Sequence, residues 1–267
     1  MALIQEKIAA QFPEATFEEG DILLVNIPDA KWHSLAKTLR DDADLKFDFL
    51  VTIVGMDWPE AYGCMYYLTS TEHNTHISVK VTAESRENPM LHSIADLWSI
   101  AGIFEREVYD FFGIVFIGNP DMRRLFLSID WKGYPLRKDY DMSSDQNPVS
   151  IENERQSDFT TVYERNDKGE IVSREERVFQ EDDFVVNIGP QHPATHGVLR
   201  FRTAVDGETI QKIDVYCGYI HRGVEKLCEN LQYPQTLHFM DRLDYFSAHN
   251  YHHGLCLCIE KAAGIEI

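Results

Sequence analysis

A strongly acidic, apolar-poor stretch in the middle of the chain limits how the sequence can fold. Residues 141–183 contain 13 acidic and 5 basic side chains and few apolar ones, so this stretch cannot bury enough apolar surface to form a core of its own. The whole chain has 267 residues, which at roughly 150 residues per domain is enough for about two domains. We therefore predict two folded regions, 1–140 and 184–267, joined by an acidic linker over 141–183.

The first region mixes strand and helix patterns. Four strands are predicted from runs of apolar and β-branched residues between turn residues: 21–27, 46–54, 62–70 and 76–83, of which the last two form a hairpin. Three helices are predicted from apolar residues that recur every three or four positions: 1–11, 30–40 and 91–111. Asp29 is the expected cap of the second helix. Residues 114–140 show neither the alternation of a strand nor the three-to-four-residue recurrence of a helix. This mixture predicts an α+β domain.

The second region opens with strands and continues as helices. Residues 184–188 (FVVNI) form a predicted strand, a Pro- and Gly-rich loop follows, and the turn at Asp206-Gly207 joins two further strands. From His221 onward the spacing is helical, with a long helix over 244–263. This helix is apolar enough to need covering by further helices, so the region is expected to be truncated.

Net charge and cysteine usage argue against several classes of protein. With 25 basic and 44 acidic residues the formal net charge is −19, which argues against nucleic-acid binding because such domains present a net basic face. Five cysteines without a Cys-x-x-Cys pair indicate neither a disulfide framework nor a zinc ribbon, and they fit a reducing, cytoplasmic compartment. No stretch approaches the roughly 18 apolar residues that span a bilayer, so membrane association is expected to come through partners.

Two histidines in the Pro- and Gly-rich loop are candidates for chemistry. His192 and His196 lie in the sequence HPATH between two predicted strands, and loops held by a rigid scaffold commonly carry binding residues. Their imidazoles could face one cavity as metal ligands or as proton donors near neutral pH. The alternative is that both hydrogen-bond to carbonyl groups of their own loop.

Two other clusters have structural interpretations that compete with functional ones. Arg222 opens the helical part, where its guanidinium could hold a carboxylate or tune an anionic centre, or could belong to a helix-capping ion cluster. His249 and His253 have the i, i+4 spacing of a zinc-binding helix, but the intervening Glu and a third ligand are missing. No metal site is predicted there.

Charged residues between 105 and 124 are expected to serve in ion networks and in contacts with other chains. Glu105, Glu107 and Asp110 could be paired carboxylates for acid–base chemistry. Arg106 and Asp110 have i, i+4 spacing, however, so they are expected to pair along a helix, within a solvated or interfacial network that includes Glu105. Arg123 and Arg124 are expected to receive carboxylates of a neighbouring protein chain, because no Gly-rich phosphate loop accompanies them.

Two sets of motifs resemble two components of respiratory complex I, the NADH-quinone oxidoreductase. The segments EREVYDFFGIVF at 105–116, NPDMRRL at 119–125 and WKGYPLRKDY at 131–140 resemble its 30-kDa (C) subunit. The segments NIGPQHPATHGVLR at 187–200, GYIHRGVEK at 218–226 and DRLDY at 241–245 resemble the start of its 49-kDa (D) subunit. Because both sets occur in order on one chain, the sequence is similar to a fused C/D polypeptide with a truncated D part.

The resemblance implies a fold and a set of site residues. It implies an α+β domain of the 30-kDa type, then a β-hairpin and helices of the 49-kDa type, which is related to hydrogenase large subunits. In the family, the residues matching His196 and Tyr245 line the pocket of the quinone headgroup, which implies quinone-binding and catalytic roles for both. The arginine matching Arg222 lies near the terminal iron–sulfur cluster of a partner protein, whereas His192 is assigned a structural role in its loop.

The resemblance also implies cofactors, partners and a location. The chain is expected to serve a proton-translocating NADH-quinone oxidoreductase in which electrons pass from the terminal cluster to quinone, the substrate. NADH, FMN and the iron–sulfur clusters are expected in partner proteins, notably the B-like iron–sulfur subunit and the I-like ferredoxin subunit. No metal is expected on this chain. The chain is expected to lie peripherally at the cytoplasmic face of the inner membrane, where partner proteins connect it to the membrane arm.

Two other functions remain open at this point. The chain could be a non-catalytic assembly or scaffold module, or it could belong to a related complex whose electron donor is not NADH. The isolated chain is expected to be inactive, because the acidic residue that partners the loop histidine in the family lies beyond Ile267.

Overall fold

The chain folds into two compact units, Met1–Ile220 and His221–Ile267, which are described separately. The computed structural model describes residues 2–141, 157–193 and 197–265, with the backbone only at His192. Helices and strands are both present, with the strands in the first unit, so the predicted α+β class is confirmed. The division into compact units at 220 does not coincide with the predicted domain limits at 140 and 184, which stay a prediction.

A five-stranded sheet lies at the centre of the first unit. Its strands are β1 (Thr16–Glu18), β2 (Leu23–Asn26), β3 (Phe49–Asp57), β4 (Tyr62–Ser70) and β5 (Thr75–Thr82), in the order β1-β2-β5-β4-β3. Neighbouring strands are antiparallel except β2 and β5, which are parallel. The predicted hairpin of β4 and β5 is confirmed, and Asn74 in its turn has φ 49°, a conformation that asparagine tolerates better than most residues.

Three helices share one apolar core with this sheet: α1 (Ala2–Gln11), α2 (Asp29–Asp41) and α3 (Ala101–Phe112). The helical spacing correctly predicted the buried side of α2, which consists of Trp32, Leu35, Ala36 and Leu39. Burying one large aliphatic side chain contributes about 1.5–3 kcal/mol. The position of α2 is therefore set by its apolar side rather than by its ends.

Asp29 does not cap α2 as the sequence predicted. It is the first residue of the helix, and Pro28 occupies the capping position without a side-chain hydrogen bond. The Asp29 carboxylate instead accepts a hydrogen bond from the His92 backbone N–H (2.8 Å) and pairs with His92 Nδ1 (2.6 Å). This side-chain hydrogen bond raises the pKa of His92. Asp29 thus binds His92, which is distant in the sequence, instead of capping the helix.

The helix predicted over 91–111 begins only at Ala101. Met90–His92 forms strand β6, which pairs in parallel with β7 (Val115–Ile117) beyond α3. Leu91 and Ile94 are buried, as they would be on a helix. The prediction of helix for residues 91–92 was wrong, because the spacing of apolar residues within 91–111 gives no information about β7, the partner of β6.

Part of the predicted acidic linker forms a β-hairpin. Strands β8 (Phe159–Arg165) and β9 (Ile171–Arg177) pair antiparallel, and β8 lies beside β7, where Gly118 N–H donates to the Tyr163 carbonyl at 2.7 Å. Val162 is buried, whereas every residue of β9 is exposed. The hairpin therefore packs its few apolar groups on a neighbouring element. Residues 142–156 lie outside the described residues, so the linker as a whole stays a prediction.

The predicted strands of the second region form a three-stranded antiparallel sheet. It consists of β10 (Phe184–Ile188), β13 (Arg200–Asp206) and β14 (Thr209–Tyr216) in the order β10-β13-β14, with a short pair, β11 (Gln191–His192) and β12 (Gly197–Val198), in the loop. Gly207 in the predicted hairpin turn has φ 61°. This sheet belongs to the first compact unit.

The second unit consists of helices α4 (Val224–Cys228), α5 (Tyr233–Met240) and α6 (Ala248–Ala263). The long helix predicted from Asp244 begins only at Ala248, because Asp244 instead caps a 3-10 turn at Tyr245–Ser247 by accepting a hydrogen bond from Phe246 N–H (3.1 Å). None of the residues of α6 is buried. Within the described ranges, no helix combines the length and apolar character needed to cross a bilayer.

Candidate functional site

The loop that carries the two candidate histidines is closed at its base. Strands β10 and β13 pair up to Ile188 and Phe201, the last pair before the loop. Gly189, the next residue, has φ 92°, and a Cβ there would collide with the Leu199 carbonyl, so only glycine fits. Leu199 N–H donates to the Pro190 carbonyl at 3.0 Å. The two ends of the loop are therefore held together by backbone contacts.

His196 lies outside the described residues, together with Ala194 and Thr195. His192 is described by its backbone alone, which pairs with Gly197 between β11 and β12. The roles predicted for the two imidazoles stay predictions.

Tyr245 lies at the start of the 3-10 turn in the second unit. Its side chain is 72% exposed and its ring stacks on that of Phe246, with the centroids 4.8 Å apart. Phe246 is itself 88% exposed. The turn thus presents a phenol and a phenyl ring to the surroundings, and neither is enclosed by this unit.

Arg222 lies immediately before α4. It is exposed and makes no ion pair with any other residue in the described part of the chain. The capping position of α4 is taken by Gly223 with φ 62°, and the nearby ion pair is Lys226–Glu229 at 3.1 Å. Arg222 is therefore not part of a capping ion cluster, and its guanidinium is available to bind another group.

Tyr245 and Arg222 belong to the second unit, whereas residues 189–199, which we call the histidine loop, belong to the first. The prediction that His196 and Tyr245 meet in one cavity stays a prediction.

An ion network, which we call the Arg–Asp network, connects α3, residues 121–123, Asp158 and the hairpin of β13 and β14. Its members are Arg106, Asp121, Arg123, Asp158, Arg202 and Asp214. Arg123 donates both terminal nitrogens to Asp214 (2.7 and 3.1 Å), and Arg202 donates to the same carboxylate (2.7 and 3.0 Å). Arg123 also binds Asp121, with Nη2 to Oδ2 at 2.6 Å. Asp214 is therefore shared by two guanidinium groups from distant parts of the sequence.

The expectation that Arg123 and Arg124 receive carboxylates of another protein chain is wrong for their main contacts. Arg123 binds Asp121 and Asp214, and Arg124 pairs with Asp110 at 2.9 Å. These carboxylates come from the same chain, and both arginines are largely buried by them.

Burial and pairing act against each other on the pKa values of the network. Burial alone would raise the pKa of Asp121, but the Arg123 hydrogen bond and the charge of Arg106 outweigh it and lower the pKa to about 2. Burial likewise opposes ionisation of Asp214, and the bonds from Arg123 and Arg202 still hold its pKa below the ordinary value. The paired carboxylates are therefore charged at neutral pH, and the network is ionic.

The predicted pair of Arg106 and Asp110 along α3 is also wrong. Arg106 donates to the carbonyls of Arg123 and Arg124 at 3.0 Å each and pairs with Asp121 at 3.2 Å. Asp110 is fully buried and accepts hydrogen bonds from the three successive backbone N–H groups that follow Arg124, at 2.7–3.0 Å. Both side chains fasten the irregular segment after β7 onto α3.

Glu105 is fully buried, not solvated or interfacial as predicted. Its carboxyl accepts hydrogen bonds from Ser93 Oγ (2.7 Å), Ile94 N–H (2.9 Å) and Asn119 Nδ2 (2.7 Å). Burial raises its pKa to about 7, and these three hydrogen bonds only partly offset that effect. The group therefore changes charge near neutral pH, inside the core.

A cavity of about 400 Å³ lies beside the Arg–Asp network. Its wall includes apolar side chains of α3 and β14, and the half-buried thiol of Cys217, whose pKa is raised by burial. The guanidinium groups in the wall are already bonded to carboxylates and carbonyls of the chain. Arg106 and Arg123 are therefore not free to bind an anion in the cavity.

Within the described ranges, no group of three or more His, Cys, Asp or Glu side chains is arranged to hold a metal ion. His249 and His253 lie on α6 as the spacing predicted.

Comparison with known proteins shows which proteins the chain is similar to. Residues 25–146 match the family described as the respiratory-chain NADH dehydrogenase 30 Kd subunit. A relative from Phocaeicola vulgatus, named as the C/D subunit of NADH-quinone oxidoreductase, is 52% identical over 244 residues, which are 91% of this chain and 46% of that protein. Proteins of the same name from Bacteroides thetaiotaomicron and Bdellovibrio bacteriovorus are 51% and 32% identical over 89% and 91% of this chain.

Residues 25–146 therefore contain the domain of the respiratory-chain NADH dehydrogenase 30 Kd subunit family. The close relatives of the chain are named as C/D subunits of NADH-quinone oxidoreductase, which confirms the resemblance indicated by the motifs. The chain spans about half the length of the curated relatives it matches.

The contacts of Arg202 and Asp214 were not predicted from the sequence. A regular hairpin register would place Arg202 opposite Ile213, but a register shift between Ala204 and Val205 places it opposite Asp214. Such a shift moves the following side chains to the other face of the sheet. No sequence signal marks it, and no pattern indicates that Arg123 would reach the same carboxylate.

Proposed function

We propose that the chain is a peripheral-arm subunit of a proton-translocating NADH-quinone oxidoreductase, where it contributes to quinone binding and to electron transfer from the terminal iron–sulfur cluster. The observation that carries this proposal is the 52% identity over 91% of the chain to a protein named as a C/D subunit of that enzyme. The loop at 189–199 and the turn at 245–247 supply the groups for the reaction. In this proposal, NADH, FMN and the clusters are bound by partner proteins.

The proposed site chemistry follows from the reaction. Reduction of a quinone places negative charge on its carbonyl oxygens and requires two protons. An imidazole at His196 and a phenol at Tyr245 are suited to donate there, because their ordinary pKa values near 6.5 and 10 leave a proton available at neutral pH. The exposure of the Tyr245 ring supports this role, since its hydroxyl is open to a ligand.

Arg222 has a different proposed role. The guanidinium remains charged in any surroundings, and a fixed positive charge beside an iron–sulfur cluster favours its reduced form. The lack of an ion-pair partner for Arg222 among the described residues supports a role toward a group outside this chain. The partners proposed for this contact are the B-like iron–sulfur subunit and the I-like ferredoxin subunit, at the cytoplasmic face of the inner membrane.

Tyr245→Phe in the assembled enzyme tests the proposed function. Removing one aligned proton donor should lower quinone reduction by about 10²-fold, while NADH oxidation by an artificial acceptor such as ferricyanide keeps its rate. Tyr233→Phe is the matched control, because Tyr233 is an equally exposed phenol of the same unit, at 75%. Quinone reduction at the wild-type rate in Tyr245→Phe would refute the role of the phenol.

A non-catalytic scaffold module is the second candidate. It is favoured by the apolar side chains that the chain leaves exposed on α6 and on one face of the second sheet, such as Leu257 (50%) and Ile210 (57%), because such surfaces mark contacts with other proteins. A complex that assembles normally and reduces quinone at full rate when both His196 and Tyr245 are replaced would support this candidate.

A further inference from the structure

We infer that the Arg–Asp network positions the base of the histidine loop, residues 189–193 and 197–199, so that Arg123, Arg202 and Asp214 are positioning residues for quinone reduction. This inference rests on the proposed function. None of the three side chains needs to touch the substrate, because each acts through the strands that hold the loop.

The network joins the N-terminal α+β part of the unit to the second sheet. Arg123 follows β7, whereas Asp214 lies on β14, and their side chains are only 7% and 2% exposed. Arg123 and Arg202 also both donate to the carbonyl of Ser157, at 3.0 and 3.1 Å. Three separate segments thus converge on one buried set of charges.

The network lies next to the base of the loop. Arg202 is opposite Asn187 in the register of β13 and β10, and the next pair, Ile188 and Phe201, is the last before the loop. Arg200, on the same strand, donates to Asn187 Oδ1 at 2.9 and 3.1 Å. A shift of β13 would therefore be transmitted to both ends of the loop within one or two residue pairs.

A second anchor holds β14 in the same orientation. Tyr216 Oη donates to the Phe126 carbonyl at 3.1 Å, and Gly218 approaches that carbonyl too closely to admit a Cβ. The sheet is therefore attached at two points to residues 123–126. Two attachments restrict the movement of this sheet more than one attachment would.

Ionic contacts suit positioning better than apolar packing at this place. Bidentate pairs between guanidinium and carboxylate have a narrow range of favourable distances and angles, whereas apolar surfaces of similar shape tolerate sliding. Buried charges also disfavour every arrangement in which one of them lacks its partner. The network therefore selects one placement of the loop over its neighbours.

The first test uses the assembled enzyme with Arg123→Lys and Arg123→Gln. Lysine keeps the charge and loses the bidentate geometry, and glutamine loses both. A displaced loop should raise the KM for a short-chain quinone by about tenfold or more in Arg123→Gln, with a smaller rise in Arg123→Lys and an unchanged ferricyanide rate. Lys212→Gln is the matched control, because Lys212 is an exposed cation on the same strand as Asp214, outside the network.

The second test is hydrogen exchange in the chain itself, which does not depend on quinone. In Arg123→Lys, the Leu199 amide, which bonds to the Pro190 carbonyl, should exchange at least about tenfold faster, while amides of β4 and β5 keep their protection. Lys212→Gln should change neither set. Equal protection of Leu199 in Arg123→Lys and the wild type would overturn the inference even if the Arg123→Gln complex does not assemble.

The outcomes separate the two proposals. If Tyr245→Phe impairs quinone reduction and the Arg123 variants leave KM and kcat unchanged, the positioning role is wrong and the proposed function stands. If Leu199 loses protection in Arg123→Lys but neither Tyr245→Phe nor Arg123→Gln affects quinone reduction, the loop is positioned for some other purpose and the proposed function is wrong.

Discussion

At the scale of single residues, Glu105 is the titrating group with the clearest effect on stability. Its folded pKa of about 7 lies above the ordinary value of 4.5, because burial disfavours its charge. The stability that the neutral carboxyl contributes is therefore fully present below about pH 4.5 and is lost as the pH rises through about 7. Between these limits the unfolded state ionises more readily than the folded state.

We expect Glu105→Gln to remove this pH dependence. The free energy of unfolding of the variant should rise relative to that of the wild type by roughly 3 kcal/mol between about pH 4.5 and pH 8, since a shift of one pKa unit corresponds to about 1.4 kcal/mol. Urea unfolding at several pH values measures the difference. Glu14→Gln, at an exposed carboxyl, is the control, and a parallel pH profile for Glu105→Gln and the wild type would contradict the prediction.

Arg222 allows a prediction about a redox centre outside the chain. Arg222→Met in the assembled enzyme should lower the midpoint potential of the neighbouring cluster, because a fixed positive charge is removed. A redox titration followed by electron paramagnetic resonance measures this potential. Arg242→Met is the control, since Arg242 already pairs with Asp241. An unchanged potential in Arg222→Met would place the arginine away from the cluster.

At the scale of elements, the contact of β3 with α3 leaves no room for a side chain at Gly55. A Cβ at this position would overlap the ring of Phe112 at the end of α3. We expect Gly55→Ala to lower the free energy of unfolding by about 1–3 kcal/mol, measured by urea unfolding. Gly20→Ala, where a Cβ would lie 3.6 Å from the nearest atom, should change stability far less.

Combining Gly55→Ala with Phe112→Leu checks the physical reason. If the overlap with the ring causes the loss, the double variant should be more stable than the sum of the two single changes predicts. Additive effects would mean that Gly55 is required for another reason, such as the conformation of β3.

The elements also show where sequence patterns succeed and fail. Strands β4 and β5 and helix α2 were predictable, because their apolar periods and turn residues lie within one short window. Strand β6 was predicted as helix, since the apolar residues from Leu91 onward recur every three or four positions, and its strand partner β7 lies outside that window. Hairpin β8–β9 was not predicted, because its segment is highly charged and its few buried apolar groups pack on another element.

At the scale of the whole molecule, the described residues of the second unit leave the Tyr245 part of the proposed quinone site open. A pocket usually buries at least about 70% of its ligand, whereas Tyr245 is 72% exposed and α6 buries no residue. We therefore expect the isolated chain to show no saturable binding of a short-chain quinone below about 1 mM, corresponding to about 4 kcal/mol, by calorimetry. Saturable micromolar binding that Tyr245→Phe abolishes would contradict this expectation.

The sequence by itself determined the mixed α+β class, most strands of the first sheet, the hairpin turn at Asp206-Gly207 and the motifs that indicate the family. All of these depend on residues close together along the chain. Only the tertiary structure decided that Arg123 binds Asp214, 91 positions away, that Glu105 is buried, and that a register shift turns Arg202 toward the same carboxylate. The physical reason is that burial and ion pairing depend on which segments meet in space, and local spacing contains no record of distant partners.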